Sequence, residues 1–202
     1  HYITPDKREQ FLKIHLPIHH ERKGHVWAGV GPREKVGSTN PSMNRVLWCD
    51  FNDTVKTEEE LRVALEASGL PWPSMIVHSG NGYHAYWKLA TPLSPIDARK
   101  YSKGVHGRLP TDNTHDPTRV MRIPGTFNFK DRDNPKPCTI TWMDEEAVYP
   151  VTDFPKVEMD IGRTVLEREA KQISSDDLAQ FLTIYVEGQR HHVGLAVAGY
   201  LR

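Results

Sequence analysis

Three short stretches of the chain concentrate groups that can handle phosphates and divalent cations. The first is Cys49-Asp50-Phe51-Asn52-Asp53. Alternation along an extended strand puts Asp50 and Asn52 on one side, with Asp53 at the turn beyond. Their oxygens can share a cation, and Mg²⁺ is suited by a few carboxylate oxygens completed by substrate phosphates. A solvated turn capped by Asp53 is the other reading of these residues taken alone. The second stretch is Ser79-Gly80-Asn81-Gly82-Tyr83-His84. Its small residues let backbone N–H groups approach a phosphate, while Ser79 and His84 offer further hydrogen bonds. A plain hairpin turn with a surface histidine is the alternative.

The third stretch runs from His115 to Lys130, H-D-P-T-R-V-M-R-I-P-G-T-F-N-F-K, where Asp116 adds a further acid. Arg119 and Arg122 stand three apart, so on a regular strand they face opposite ways, which implies two different tasks or a local bulge. One can hold a triphosphate and the other a template or Asp116. Structural ion pairing of both is the alternative.

Strands and helices alternate around these stretches. Arg45 to Phe51 reads as a buried strand with its acid at the carboxyl end. Thr57 opens a helix through a capping box closed by Glu60, and Gly69 ends it before Pro71 and Pro73. Ser74 to Leu89 reads as a hairpin around Gly80-Asn81-Gly82, with Tyr83, Ala85, Trp87 and Leu89 on one face and His84, Tyr86 and Lys88 on the other. Ser94 and Pro95 start a basic helix that continues to about Arg108. Thr118 to Ile123 and Thr139 to Trp142 read as further strands. The pattern is α/β or α+β.

Prolines and mixed charge without periodicity follow from about Tyr149 to Arg163. The expected organisation is a catalytic core over 1–150, a linker or wrapping segment over 151–172, and the start of a helical accessory domain over 173–202. The last pattern is still amphipathic at Arg202, which implies a longer helical region.

Composition bounds the rest. Of 202 residues, 38% are hydrophobic and 26% charged, enough for one good core. Lys plus Arg equals Asp plus Glu at 26 each, so binding of nucleic acid has to rest on a local basic cluster. Cys49 and Cys138 lack any Cys-x-x-Cys partner and are expected as buried thiols. No apolar run approaches the roughly 20 residues that cross a bilayer, and no secretory pattern opens the chain, so a cytoplasmic location without membrane contact is expected.

In order and spacing the three stretches resemble the motifs of the archaeo-eukaryotic primase superfamily, and the chain looks like a phage- or plasmid-type primase-polymerase catalytic domain over roughly residues 25 to 145. R-I-P-G-T-x-N-x-K is the most specific piece. The resemblance implies an RRM-like catalytic sheet with an N-terminal αβ unit. It implies DNA primase or DNA polymerase activity in the replication of a phage or mobile element, with Mg²⁺ or Mn²⁺ as cofactor. Asp50, Asn52, Asp53 and Asp116 would be the metal-binding and catalytic set, and Ser79, Gly82, His84, Arg119 and Arg122 would bind the nucleotide. The family usually has Asp or Glu where this chain has Asn52, so Asp53 can substitute.

Single-stranded DNA template, a primer strand and NTP or dNTP are the implied partners, with a helicase or helical accessory domain in a longer protein. Two rivals come from other classes. One is a module that binds nucleotide or single-stranded DNA without turnover, and the other is a metal-dependent nuclease.

Overall fold

A π-helical turn, Phe11–His15, leads into helix α1, Leu16–Glu21, and then strand β1, Trp27–Gly29. The structure is a computed structural model and describes residues 11–31, 43–52, 54–112, 115, 116 and 118–158. The chain divides into two units, His1–Glu158 and Met159–Arg202. All described residues belong to the first, so the helices expected over 173–202 and the expected linker beyond Glu158 lie outside them.

Strand β2, Asn44–Phe51, is buried along its whole carboxyl-terminal half, Leu47 through Phe51. Cover on both faces is why the sequence there reads as a continuous apolar run rather than an alternation. Helix α2, Glu58–Ala67, starts on the expected capping box: the Thr57 hydroxyl accepts from the Glu60 N–H at 3.2 Å, and the Glu60 carboxylate accepts from the Thr57 N–H at 3.2 Å. Gly69, at φ 69°, ends the turn that follows.

Strands β3, Met75–His78, and β4, Tyr83–Leu93, form the expected hairpin. Helix α3, Pro95–His106, is capped by Ser94, whose hydroxyl accepts from the Asp97 N–H at 3.1 Å. It ends slightly earlier than the sequence suggests, with Gly107 as its cap.

The remaining strands are short. They are β5, Val120–Arg122; β6, Phe127–Asn128; β7, Lys136–Pro137; β8, Thr139–Met143; and β9, Val148–Tyr149. The principal sheet has the order β2-β4-β3-β8, antiparallel throughout, with β9 added parallel to β4. Strand β5 pairs instead with β1 in a separate ribbon, and β6 pairs with β7. This is the expected α+β class.

One face of the principal sheet carries the core. Leu47, Cys49 and Phe51 of β2 and Ala85, Trp87 and Leu89 of β4 pack with Leu61, Leu65, Ala98 and Val105 of the two helices. Each large side chain in such a core contributes about 1.5–3 kcal/mol through burial alone. The residues between them, Trp48 and Asp50 on β2 and His84, Tyr86 and Lys88 on β4, turn to the opposite face. Both cysteines are buried and free, as expected.

Part of the segment read as linker or wrapping is described. Val151–Asp153 forms one 3₁₀ turn, and Phe154 is buried with its ring edge-on to Trp87. The neighbouring Pro155 carbonyl runs so close to α3 that a Cβ on Gly104 would collide with it. That approach explains a glycine within the helix, where it otherwise costs about 1 kcal/mol relative to alanine.

Candidate functional site

The sheet register brings the first two sequence stretches together. Asp50 and His84 are direct cross-strand partners of β2 and β4, and His84 Nε2 lies 3.8 Å from Asp50 Oδ1. Both side chains are only about one-twentieth exposed, at 5% for His84 and 6% for Asp50. The third stretch enters from the side, where Arg119, just before β5, donates from Nη2 to Asp50 Oδ2 at 3.3 Å. Three distant segments thus converge on one buried carboxylate.

The electrostatics follow from that burial. Asp50 has its pKa raised, first by desolvation, against the Arg119 charge and hydrogen bond that pull it down; the nearby Asp112 pushes it up further. Burial, with Arg122 and Arg119 close by, drives His84 down to about 4, so its ring is neutral at physiological pH. Burial also raises the pKa of Tyr86, whose phenol meets His84 Nδ1 at 3.2 Å. When that hydroxyl donates to Nδ1, Nε2 carries the ring proton and faces Asp50.

The His84 shift gives a checkable titration. Between about pH 6.5 and pH 4 the unfolded chain takes up a proton that folded His84 refuses. The stability this site contributes is therefore complete above about 6.5 and is lost as pH falls towards 4. In EDTA-treated protein the His84 ring resonances are expected to titrate with a midpoint of about 4; a midpoint near 6.5 would contradict the burial argument.

Ser79 and Gly82 build the turn between β3 and β4. The Ser79 N–H and hydroxyl both donate to the Gly82 carbonyl, at 2.8 and 3.1 Å. Gly80 sits at φ 96°, where a side chain is strained. A Cβ on Gly82 would collide with the Phe51 carbonyl oxygen, because β4 begins directly over the end of β2. Gly82→Ala is accordingly expected to destabilise the fold by about 3 kcal/mol in urea unfolding, the upper part of the overpacking range. A change below about 1 kcal/mol would mean that this approach is not rigid.

The R-I-P-G-T-F-N-F-K run proves to be a strut for that turn. Asn128 Nδ2 donates to the Ser79 carbonyl at 3.1 Å, and the Thr126 hydroxyl closes its own turn on the Ile123 carbonyl at 2.7 Å. Arg122 donates from Nη1 to the Phe127 carbonyl at 3.0 Å, meets His25 Nδ1 at 3.0 Å, and lies 5.4 Å from the centre of the Trp27 ring. The two arginines meet different partners: Arg119 meets Asp50, and Arg122 joins the β1–β5 ribbon to the turn after β5. Arg122 is also close enough to help lower the His84 pKa.

Asp116 is exposed, and its carboxylate accepts from the Thr118 N–H at 2.9 Å while its carbonyl accepts from the Arg119 N–H at 2.9 Å. It stands at the turn that delivers Arg119, with no direct contact to Asp50 among the described hydrogen bonds and ion pairs. Asn52 donates from Nδ2 to Asp112 Oδ2 at 2.8 Å. Asp53 lies outside the described residues. Asp112 is the residue that sequence reasoning missed; its signal was a further acid four positions before Asp116, in the loop leaving α3.

A divalent cation fits what is present. Asp50 Oδ1 is buried without a hydrogen-bond partner, and so is Arg119 Nε, a donor on the very side chain that holds the other oxygen. An unsatisfied buried anion is costly, and a cation would remove the cost. Among the described residues, no three of His, Cys, Asp and Glu form a metal site by themselves. A cation here would complete its shell from water or phosphate oxygens, as Mg²⁺ commonly does. Beside the site a cleft of about 550 Å³ opens between the principal sheet and the β1–β5 ribbon, lined in part by Val46, Met75, Tyr86, Lys88, Met121 and Arg122.

Solved structures share this architecture. The chain is similar to the AEP domain of the cyanophage S-2L primase-polymerase, at 17% identity and a TM-score of 0.62, over 76% of this chain and 86% of that one. It is also similar to the catalytic domain of primase RepB' in complex with initiator DNA, at 14% identity and a TM-score of 0.52, over 81% and 77% of the two chains. A further structure of primase RepB' matches at 14% identity and a TM-score of 0.51, over 85% of this chain and 55% of that one. The chain therefore shares the fold of these primase and primase-polymerase domains, as the motifs led one to expect. Neither a protein-family model nor a curated protein matches the chain. Among the described residues no helix is long and apolar enough to cross a membrane.

Proposed function

We propose that this chain is a primase-polymerase catalytic domain that joins NTP or dNTP units along a single-stranded DNA template. The observation that carries the reading is the Asp50–Arg119 pair, which offers a buried acceptor lacking a donor beside a buried donor lacking an acceptor. That combination suits a cation and an anion bound together, as in a metal-bound nucleoside triphosphate. The fold shared with primase-polymerases supports it.

In this reading Asp50 and Asp116, helped by Asn52 or Asp53, hold Mg²⁺ or Mn²⁺. A bound divalent cation would activate the attacking 3′-hydroxyl and offset charge developing on the α-phosphate. The chain's own residues bind and align. Arg119 presents its guanidinium to the triphosphate, and its bond to Asp50 fixes where that charge lies. Neutral His84 donates from Nε2, since a ring that stays uncharged to about pH 4 acts by hydrogen bonding rather than by charge. Gly82 and the Ser79 turn keep β4, and with it His84, pressed against the end of β2.

Purified protein incubated with a single-stranded template, a labelled primer, nucleotides and Mn²⁺ tests the proposal. Primer extension is expected. Shortened DNA would instead indicate a nuclease, and bound but unchanged substrate would indicate an adaptor. Reactions with no added primer test whether the chain also initiates.

A further inference from the structure

We propose that Trp27 is a stacking platform for an unpaired base of the single-stranded template, set in a basic surface that meets the flanking phosphates. The inference rests on the reading of the chain as a template-dependent polymerase, and adds a place where the template strand is held.

Trp27, on β1, is 50% exposed, although an indole is among the side chains that gain most from burial. The ring is nonetheless fixed. His25 stacks against it, with ring centroids 5.1 Å apart and planes 29° from parallel. The Arg122 guanidinium, from the cross-strand partner position on β5, lies 5.4 Å from the ring centroid. Arg122 is held in turn by His25 Nδ1 and the Phe127 carbonyl, both at 3.0 Å, and His25 meets the buried Phe129 edge-on. An indole locked by two neighbours and half open to solvent gives a flat surface that needs little further ordering when a second flat ring settles on it.

The charge around the ring selects the ligand. Burial, then the guanidiniums of Arg122 and Arg132, lower the pKa of His25, which places both arginines beside the Trp27–His25 stack. Lys23 joins them from an exposed position, its ammonium donating to the Arg132 carbonyl at 2.9 Å. None of these three cations is ion-paired to a described acid. Of the two acids flanking Arg132, Asp131 turns its Oδ1 to the N–H groups of Asp133 and Asn134, at 3.0 and 3.2 Å. An open aromatic face among cations suits a single strand, whose bases stack while its phosphates meet the charge. The location fits as well. Arg122 is close enough to His84 to lower its pKa, and Ala28 and Gly29, which follow Trp27, line the cleft of about 550 Å³ beside the site. Trp27 itself stands outside that lining, which suits a strand entering the site better than a nucleotide bound within it.

A labelled primer–template junction with a short single-stranded template overhang fixes the register, and its binding is read by fluorescence anisotropy without nucleotide. Trp27→Ala is expected to bind the junction about tenfold more weakly than the parent chain, and Trp27→Phe, which keeps a ring, within about threefold. Moving one abasic position along the overhang is expected to reveal a single place where the parent loses about tenfold. That sensitivity should vanish in Trp27→Ala, because ring and base act as a pair. Trp27→Ala binding within twofold of the parent, no sensitive position in the parent, or the same sensitive position in Trp27→Ala overturns the inference. Primer extension by the parent then leaves the proposed function standing. A parent chain that neither binds the junction nor extends the primer overturns both.

Discussion

Replacing Asp50 with asparagine is expected to lower primer extension by at least about 10³-fold while the protein stays folded. The substitution preserves volume and can still meet Arg119, so the packing around β2 has little reason to change. What it removes is the negative charge on a side chain that is 6% exposed and has one oxygen lacking a partner. Losses of this order are usual when a preorganised charge aimed at the reacting groups is deleted. Thermal unfolding and extension should be measured on the same preparation. Extension above about one-tenth of the parent rate, in a variant with an unchanged unfolding midpoint, would remove Asp50 from the chemistry.

The second large effect is expected at Asp116, and here two substitutions are needed. Its carboxylate accepts from the Thr118 N–H, and its carbonyl receives the Arg119 N–H, so the residue also shapes the turn that delivers Arg119 to Asp50. Asparagine retains an acceptor for Thr118 and removes only the charge. Alanine removes both. If the charge serves the cation, Asp116→Asn and Asp116→Ala should both lose at least about 10²-fold in extension. A fully active Asn variant beside an impaired Ala variant would reduce Asp116 to a turn residue.

Several elements could be read directly because their signals are local. The Thr57–Glu60 box and the Ser94–Pro95 start each fit within four residues, and the structure realises both. The hairpin around Gly80 and Gly82 was equally legible, including the division of β4 into a core face and a site face. The pairing of Asp50 with His84 follows once β2 and β4 are neighbours, but no local rule sets that register.

What escaped the sequence depends on partners far away along the chain. Asn52 meets Asp112 across 60 residues, and no spacing rule links an amide at a strand end to an acid in a helix-to-strand loop. The β1–β5 ribbon joins Trp27 to Arg122, and strands of three residues are too short to show a period. Phe154 looked like part of an aperiodic, proline-containing stretch, because a single ring inserted beside Trp87 leaves no repeating pattern. The R-I-P-G-T-F-N-F-K run was conspicuous as a motif, yet its work as a strut under Ser79 needed coordinates to see.

Diffraction from crystals of the chain with Mn²⁺ and a non-hydrolysable nucleoside triphosphate tests the central claim most directly. Anomalous scattering should place Mn²⁺ at coordination distance from Asp50 Oδ1, about 2.1 Å by analogy with Mg²⁺, with phosphate oxygens completing its shell and Arg119 against the triphosphate. Metal and nucleotide bound together elsewhere, with Asp50 Oδ1 still touching neither, would contradict the account.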